Sequence, residues 1–194
     1  MRTRLPLLAL ALLSLFAAAA CSSDDDPSTV EAGEAQVEEH NEADVSFAQQ
    51  MIPHHAQAIE MARLAADRAE RQEVKDLAGR IEAAQGPEIA TLEGWLAEWG
   101  EELPADEMEM DHSQDGMGMM TDEDMAMLET ATGAEFDRLF LEMMVRHHSG
   151  AIEMAEEQLR DGQDPDALEM AQEIKDTQET EVAEMEALLA DLGS

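Results

Sequence analysis

The sequence predicts an all-α protein, a four-helix bundle made of two repeated helical hairpins. Three observations predict it. Sliding the 194-residue chain against itself by 93 positions aligns 44–100 with 137–193 without a gap, and 19 of those 57 positions are identical. Apolar residues recur at three- and four-residue spacings in the repeat. The composition, with 15 Met but only two Trp, four Phe and no Tyr, leaves Leu, Ala, Ile, Val and Met to build the core, a set that suits helices better than sheets. An apolar content of 44% is enough to bury that core, and the length allows one domain.

The chain opens with Met1-Arg2-Thr3-Arg4 and then an apolar run from Leu5 to Ala20, which reads as an export signal over 1–20. The run is short for a membrane span. It ends at Ala18-Ala19-Ala20 before Cys21, the single cysteine, and resembles a lipoprotein signal in which Cys21 is lipidated and becomes the new N-terminus. Ala18 departs from that pattern, standing where a large aliphatic residue is usual. Ordinary cleavage with a free thiol is the alternative. Residues 21–40, rich in Ser, Asp, Glu and small residues, read as a solvated tether to a helical domain over 41–194.

The first hairpin, 41–100, is expected to hold helices near 43–69 and 73–99. Pro53 and Gly86-Pro87 each remove or strain a backbone bond and should kink their helices locally. A linker over 101–131 follows. Its Gly and Asp content marks a loop, with a short helix expected over 122–130. The second hairpin, 132–194, begins with Thr132-Gly-Ala-Glu135, read as a capping box. Phe140, Met144, His147, Ala151 and Met154 then share one stripe. Gly162 can end that helix, and Asp164-Pro165 reads as N-cap and first residue of the last one. That helix carries its apolar stripe on Leu168, Ala171, Ile174, Met185, Leu188, Leu189 and Leu192.

Charge sets a boundary on function. The formal net charge is −35, and loss of Arg2 and Arg4 with a cleaved signal takes it to −37. Phosphate backbones and anionic lipid surfaces repel such a chain, which argues against nucleic-acid partners and leaves lipid contact to the N-terminal anchor. Cations remain.

Two sets of residues could carry chemistry. His54 and His55 are repeated as His147 and His148, with Met51 and Met61 around the first pair and Met144 and Met154 around the second. Bundles build metal sites from inward side chains on facing helices, and imidazole with thioether suits copper, Cu(I) above all. The competing reading makes them core histidines with methionine gap-fillers. The second set is the linker, where Met108, Met110, His112, Met117, Met119 and Met120 crowd 13 residues. Such a loop could gather Cu(I) or Ag(I), or fold back onto an apolar groove. Di-iron bundle enzymes carry Glu-x-x-His on helices. Here that spacing occurs only as Glu109-x-x-His112 in the loop, and Glu60 and Glu153 lie round the helix from the His pairs.

The pattern Phe-x-x-x-Met-x-x-His-His-x-x-Ala-Ile-x-Met-Ala, at 47–62 and again at 140–155, resembles the signature of a bacterial domain-of-unknown-function family, number 305. Copper-binding proteins of the CopM type belong to that family. The segment Met119-Met120-Thr121-x-Glu123-x-Met125-x-x-Leu128 is similar to the family's entry to its second hairpin. The resemblance spans about 40–193. It implies a ferritin-like four-helix fold, export to the periplasm or cell surface, and copper held by Met51, His54, His55, Met61, Met144, His147, His148 and Met154. The Met/His-rich linker is similar to segments of exported copper-handling proteins, which implies an accessory site. Pro53, where the second copy has Arg146, departs from strict symmetry.

The expected function is therefore a non-enzymatic, copper-binding envelope lipoprotein that sequesters or buffers Cu(I) or Cu(II), with no organic cofactor. Metal ions are its expected partners, alongside further copies of itself or other envelope copper proteins. The alternatives are a metal-independent interaction module of the envelope and, less favoured, a ferritin-like oxidoreductase.

Overall fold

A computed structural model describes residues 40–104 and 117–193. The expected signal, Cys21, the tether up to residue 39, and Met108, Met110 and His112 lie outside the described residues. The unit Val37–Ser194 carries five helices: α1 Glu42–Arg68, α2 Gln72–Trp99, α3 Asp122–Thr130, α4 Ala134–Asp161 and α5 Pro165–Leu192. Extended structure among the described residues is limited to one isolated bridge between Ala69 and Gly133. No described helix is long and apolar enough to cross a membrane.

Local chemistry explains most of the boundaries. The Asn41 side chain accepts from the amides of Ala43 and Asp44 while Asp44 takes the Asn41 amide, a capping box that opens α1. Thr121 and Asp124 form the same device at α3. Asp164 caps α5 just before Pro165, and Gly162 follows the last turn of α4. Gly100 ends α2 in the left-handed region at φ 77°, a conformation that costs glycine little.

One expected cap is corrected. Thr132 does not open α4; Gly133 stands at the N-cap with φ 65° and no side-chain cap bond. The amide of Gly133 is instead drawn to the Arg68 carbonyl at 2.8 Å, tying the start of α4 to the end of α1. That tertiary bond places Gly133, rather than Thr132, next to the first helical residue. Pro53 and Pro87 both sit inside continuous helices. Around Pro53 the side chains of Met51, Ile52, His54 and His55 are all buried, so packing outweighs the lost backbone bond.

Helix α1 packs on α2, α4 packs on α5, and the hairpins join mainly through α1 against α4, with α3 resting on both. The core divides into two apolar clusters. One holds Leu77, Ile81, Leu128, Phe136, Phe140 and Leu141; the other holds Phe47, Leu92, Leu96 and Ile174. Each fully buried side chain of this kind contributes roughly 1.5–3 kcal/mol.

Two buried carboxylates lock the hairpins together. Asp44, on α1, accepts from the amides of Gln163 and Asp164 at 3.1 Å in the α4–α5 turn, and from the Gln158 amide group. Asp137, on α4, accepts from the amides of Glu70 and Arg71 at 3.0 Å in the α1–α2 turn. Both are completely buried. A buried carboxylate is costly unless its oxygens are taken up by hydrogen bonds, and here they are.

Candidate metal centre

Between the apolar clusters lies a layer of four histidines. His54 and His55 come from the middle of α1, His147 and His148 from the middle of α4, and none is more than 1% exposed. Adjacent residues diverge by about 100° on a helix. One ring of each pair therefore faces the opposite long helix while its neighbour turns toward the helix of its own hairpin. His54 and His147 meet across the α1–α4 contact, ring centroids 3.8 Å apart and planes 40° apart. His55 Nε2 lies 2.7 Å from Glu88 Oε2 on α2, and His148 Nε2 lies 2.7 Å from Glu181 Oε2 on α5. The second contact is a hydrogen bond; the first reaches ion-pair distance without hydrogen-bond alignment.

Both rings at the α1–α4 contact are held neutral. Burial, followed by the neighbouring His55, pushes His54 down from an ordinary value of 6.5 to about 3, against a smaller opposing effect from its bond to Met117. Burial and then His54 push His147 well below its ordinary value. Neutral imidazole has a lone pair to give. His54 uses Nε2–H to donate to the Met117 carbonyl at 3.0 Å. Six other ring nitrogens in the layer have no hydrogen bond: Nδ1 of His54, His55 and His148, both nitrogens of His147, and Nε2 of His55.

The four methionines expected beside the histidines are buried at the borders of this layer. Met61 and Met144 belong to one apolar cluster, Met51 and Met154 to the other, so each cluster carries methionines from both hairpins. Thioether and neutral imidazole are donors for soft cations, whereas exposed Glu60 and Glu153 are turned away. Among the described residues, no three His, Cys, Asp or Glu side chains are grouped so as to hold a metal ion by themselves.

The end of the linker crosses this layer. Gln57 clamps the backbone of Met120 through two bonds, accepting from its amide at 2.7 Å and donating to its carbonyl at 2.9 Å. Gly118, at φ 74°, passes so close to α4 that a Cβ there would sit 2.3 Å from the Arg146 carbonyl oxygen. A Cβ on Gly150 would lie 1.7 Å from the Met117 carbonyl oxygen, so only glycine admits the crossing. Met120 is buried, its sulfur accepting from the Arg146 guanidinium, while Met117 and Met119 are half-buried. Arg146 also pairs with Asp124 at 2.6 Å.

Glu88 and Glu181 appear in the sequence only as one more identity in the repeat; their approach to histidine depends on how α2 and α5 pack. Their identity at the 93-residue offset, on helices otherwise scattered with acids, was the available signal.

Fold and interior together define an α-helical bundle with a polar, donor-rich layer in its core. The chain belongs to the DUF305 family: the family described as "Domain of unknown function (DUF305)" matches residues 44–189. Solved structures agree. A DUF305 fragment from Deinococcus radiodurans is 32% identical, with a TM-score of 0.70 over 78% of this chain and 97% of its own. A DUF305 protein from Streptomyces coelicolor, described as secreted, is 33% identical, with a TM-score of 0.71 over 78% and 94%. CopM in its Cu(II)-bound form is 33% identical, with a TM-score of 0.68 over 76% and 96%. CopM has also been solved with Cu(I), with Ag and in its apo form. No curated protein matches the chain by sequence.

Proposed function

We propose that this chain is a copper-binding, non-enzymatic protein of the bacterial cell envelope, exported and anchored through a lipid on Cys21, which sequesters or buffers copper. Met51, His54, His55, Met61, Met144, His147, His148 and Met154 would hold the metal. The observation that carries the reading is the set of buried imidazole nitrogens without hydrogen bonds. A packing histidine leaves such atoms unpaired at a cost of roughly 1–3 kcal/mol each, whereas a cation recovers it. Thioethers from both clusters point the choice toward Cu(I), and Glu88 and Glu181 supply negative charge beside a cation the apolar layers would otherwise reject.

The likeness to CopM supports the same reading, since that protein takes Cu(I), Cu(II) and Ag on this fold. The Streptomyces relative supports export. Met108, Met110, His112, Met117, Met119 and Met120 would form an accessory collecting site, with the Met120 sulfur obliged to leave Arg146 first.

The test is anaerobic Cu(I) titration of the mature protein in competition with bicinchoninate, followed by X-ray absorption for the N/S ligand ratio. Changing all four histidines to Ala should abolish the tight phase while the fold persists by circular dichroism. Unchanged Cu(I) affinity in that variant sinks the helical site. A second reading, a metal-independent interaction module, draws on the absence of a His/Asp/Glu triad among the described residues. It requires that copper leave the melting temperature unmoved, because a ligand of the native state must raise it.

A further inference from the structure

We propose that Glu88 and Glu181 are positioning residues, each holding a buried histidine by Nε2 so that Nδ1 is the atom offered to the metal. The proposal rests on the metal-binding reading above and takes it from residues to atoms. His55 and His148 each have Nε2 2.7 Å from a carboxylate oxygen, and each has Nδ1 buried with no partner. The carboxylates come from the flanking helices, and the two pairs occupy matching positions at an offset of 93 residues. His54 reaches the same state by another route: its Nε2–H is taken by the Met117 carbonyl, which can only accept, so its Nδ1 carries the lone pair. His54 and His148 thus have Nε2 hydrogen-bonded and Nδ1 free, and His55 has Nε2 at ion-pair distance from Glu88 with Nδ1 free. On His147 neither nitrogen is hydrogen-bonded.

Packing does not account for this arrangement. The Glu181 side chain is only 11% exposed, so its carboxylate is drawn out of water to meet a ring that stays half-unsatisfied. A hydrogen bond from one imidazole nitrogen to a carboxylate fixes tautomer and ring orientation and raises the basicity of the other nitrogen, the usual support of a metal-bound histidine.

The experiment uses the mature protein labelled with ¹⁵N-histidine. Long-range ¹⁵N–¹H correlation spectra of the metal-free protein should show His55 and His148 protonated at Nε2, with Cu(I) moving the Nδ1 resonances and leaving Nε2–H in place. Replacing both carboxylates by Ala (E88A/E181A) should release the tautomer and weaken Cu(I) binding about 10–100-fold. The pair E88Q/E181Q keeps an accepting oxygen and should keep both the tautomer and most of the affinity, and it serves if the Ala pair does not fold. Protonation at Nδ1 in the wild type, or an unchanged tautomer and affinity in E88A/E181A, overturns the positioning role alone. A wild type that binds no Cu(I) overturns the metal reading, and this proposal with it.

Discussion

The two hairpins are copies that agree where they face each other and differ where the linker lies. Asp44 and Asp137, the two His pairs, and Glu88 and Glu181 occupy matching positions; each Asp accepts from the turn amides of the other hairpin, and His55 and His148 each lie 2.7 Å from a carboxylate. Pro53 opposite Arg146, and Gln57 opposite Gly150, do not match. Arg146 binds the Met120 sulfur, Gln57 clamps the Met120 backbone, and Gly150 opens the gap for Met117. A single strand of linker cannot satisfy a twofold arrangement, so Gln57 of one hairpin and Arg146 of the other grip it by different bonds, while Gly150 yields room. Symmetry builds the fold and the donor layer, and its breaking seats the loop.

The hardest test of the matching half is the pair of turn-locking carboxylates. Asp44→Ala leaves turn amides and the buried Gln158 without their acceptor and should cost about 4 kcal/mol by urea unfolding. Asp137→Ala, with two amides to lose, should cost about 3 kcal/mol. Equal losses would mean that the extra bonds to Asp44 add nothing.

Acid should divide the histidine layer next. His54 has a folded pKa near 3 against 6.5 unfolded, and His147 is lowered as well. The unfolded chain therefore takes up protons that the fold refuses. Stability of the metal-free protein falls as pH drops below 6.5, by about 1.4 kcal/mol per pH unit for each ring, until the folded pKa is reached. The slope is to be read as the difference between wild type and H54Q, which should remove one ring's share. An H54Q protein with the wild-type slope between pH 6.5 and 5 would refute the burial of a neutral ring.

The smallest effects probe the broken half. Gly150→Ala drives a Cβ into the Met117 carbonyl and should cost about 2 kcal/mol, with faster amide exchange at 117–120. Gln57→Ala removes two hydrogen bonds to Met120 and should cost about 1 kcal/mol. If Gly150→Ala leaves exchange unchanged, the linker is not seated on α4.

Much of this architecture is legible in the sequence. The short helix over 122–130 and the Asp164-Pro165 start of α5 were read in place, because periodicity and capping chemistry are local signals. The misreading of Thr132 has the opposite cause: a capping pattern lost to a bond between Gly133 and Arg68, which are 65 positions apart. The His and Met set was visible through its doubling, but Glu88, Glu181, Gln57 and Gly150 act across helices. No spacing along one helix records which residue of another helix will face it.

The exchange of turn locks between hairpins also bears on how the chain comes together in time. Residue 44 waits for residues 163 and 164, and residues 70 and 71 wait for residue 137. The first hairpin to emerge during synthesis therefore stays unlatched until much of the second has followed. Each half acts as the other's template, as two identical hairpins would in a dimer whose subunits had been joined end to end.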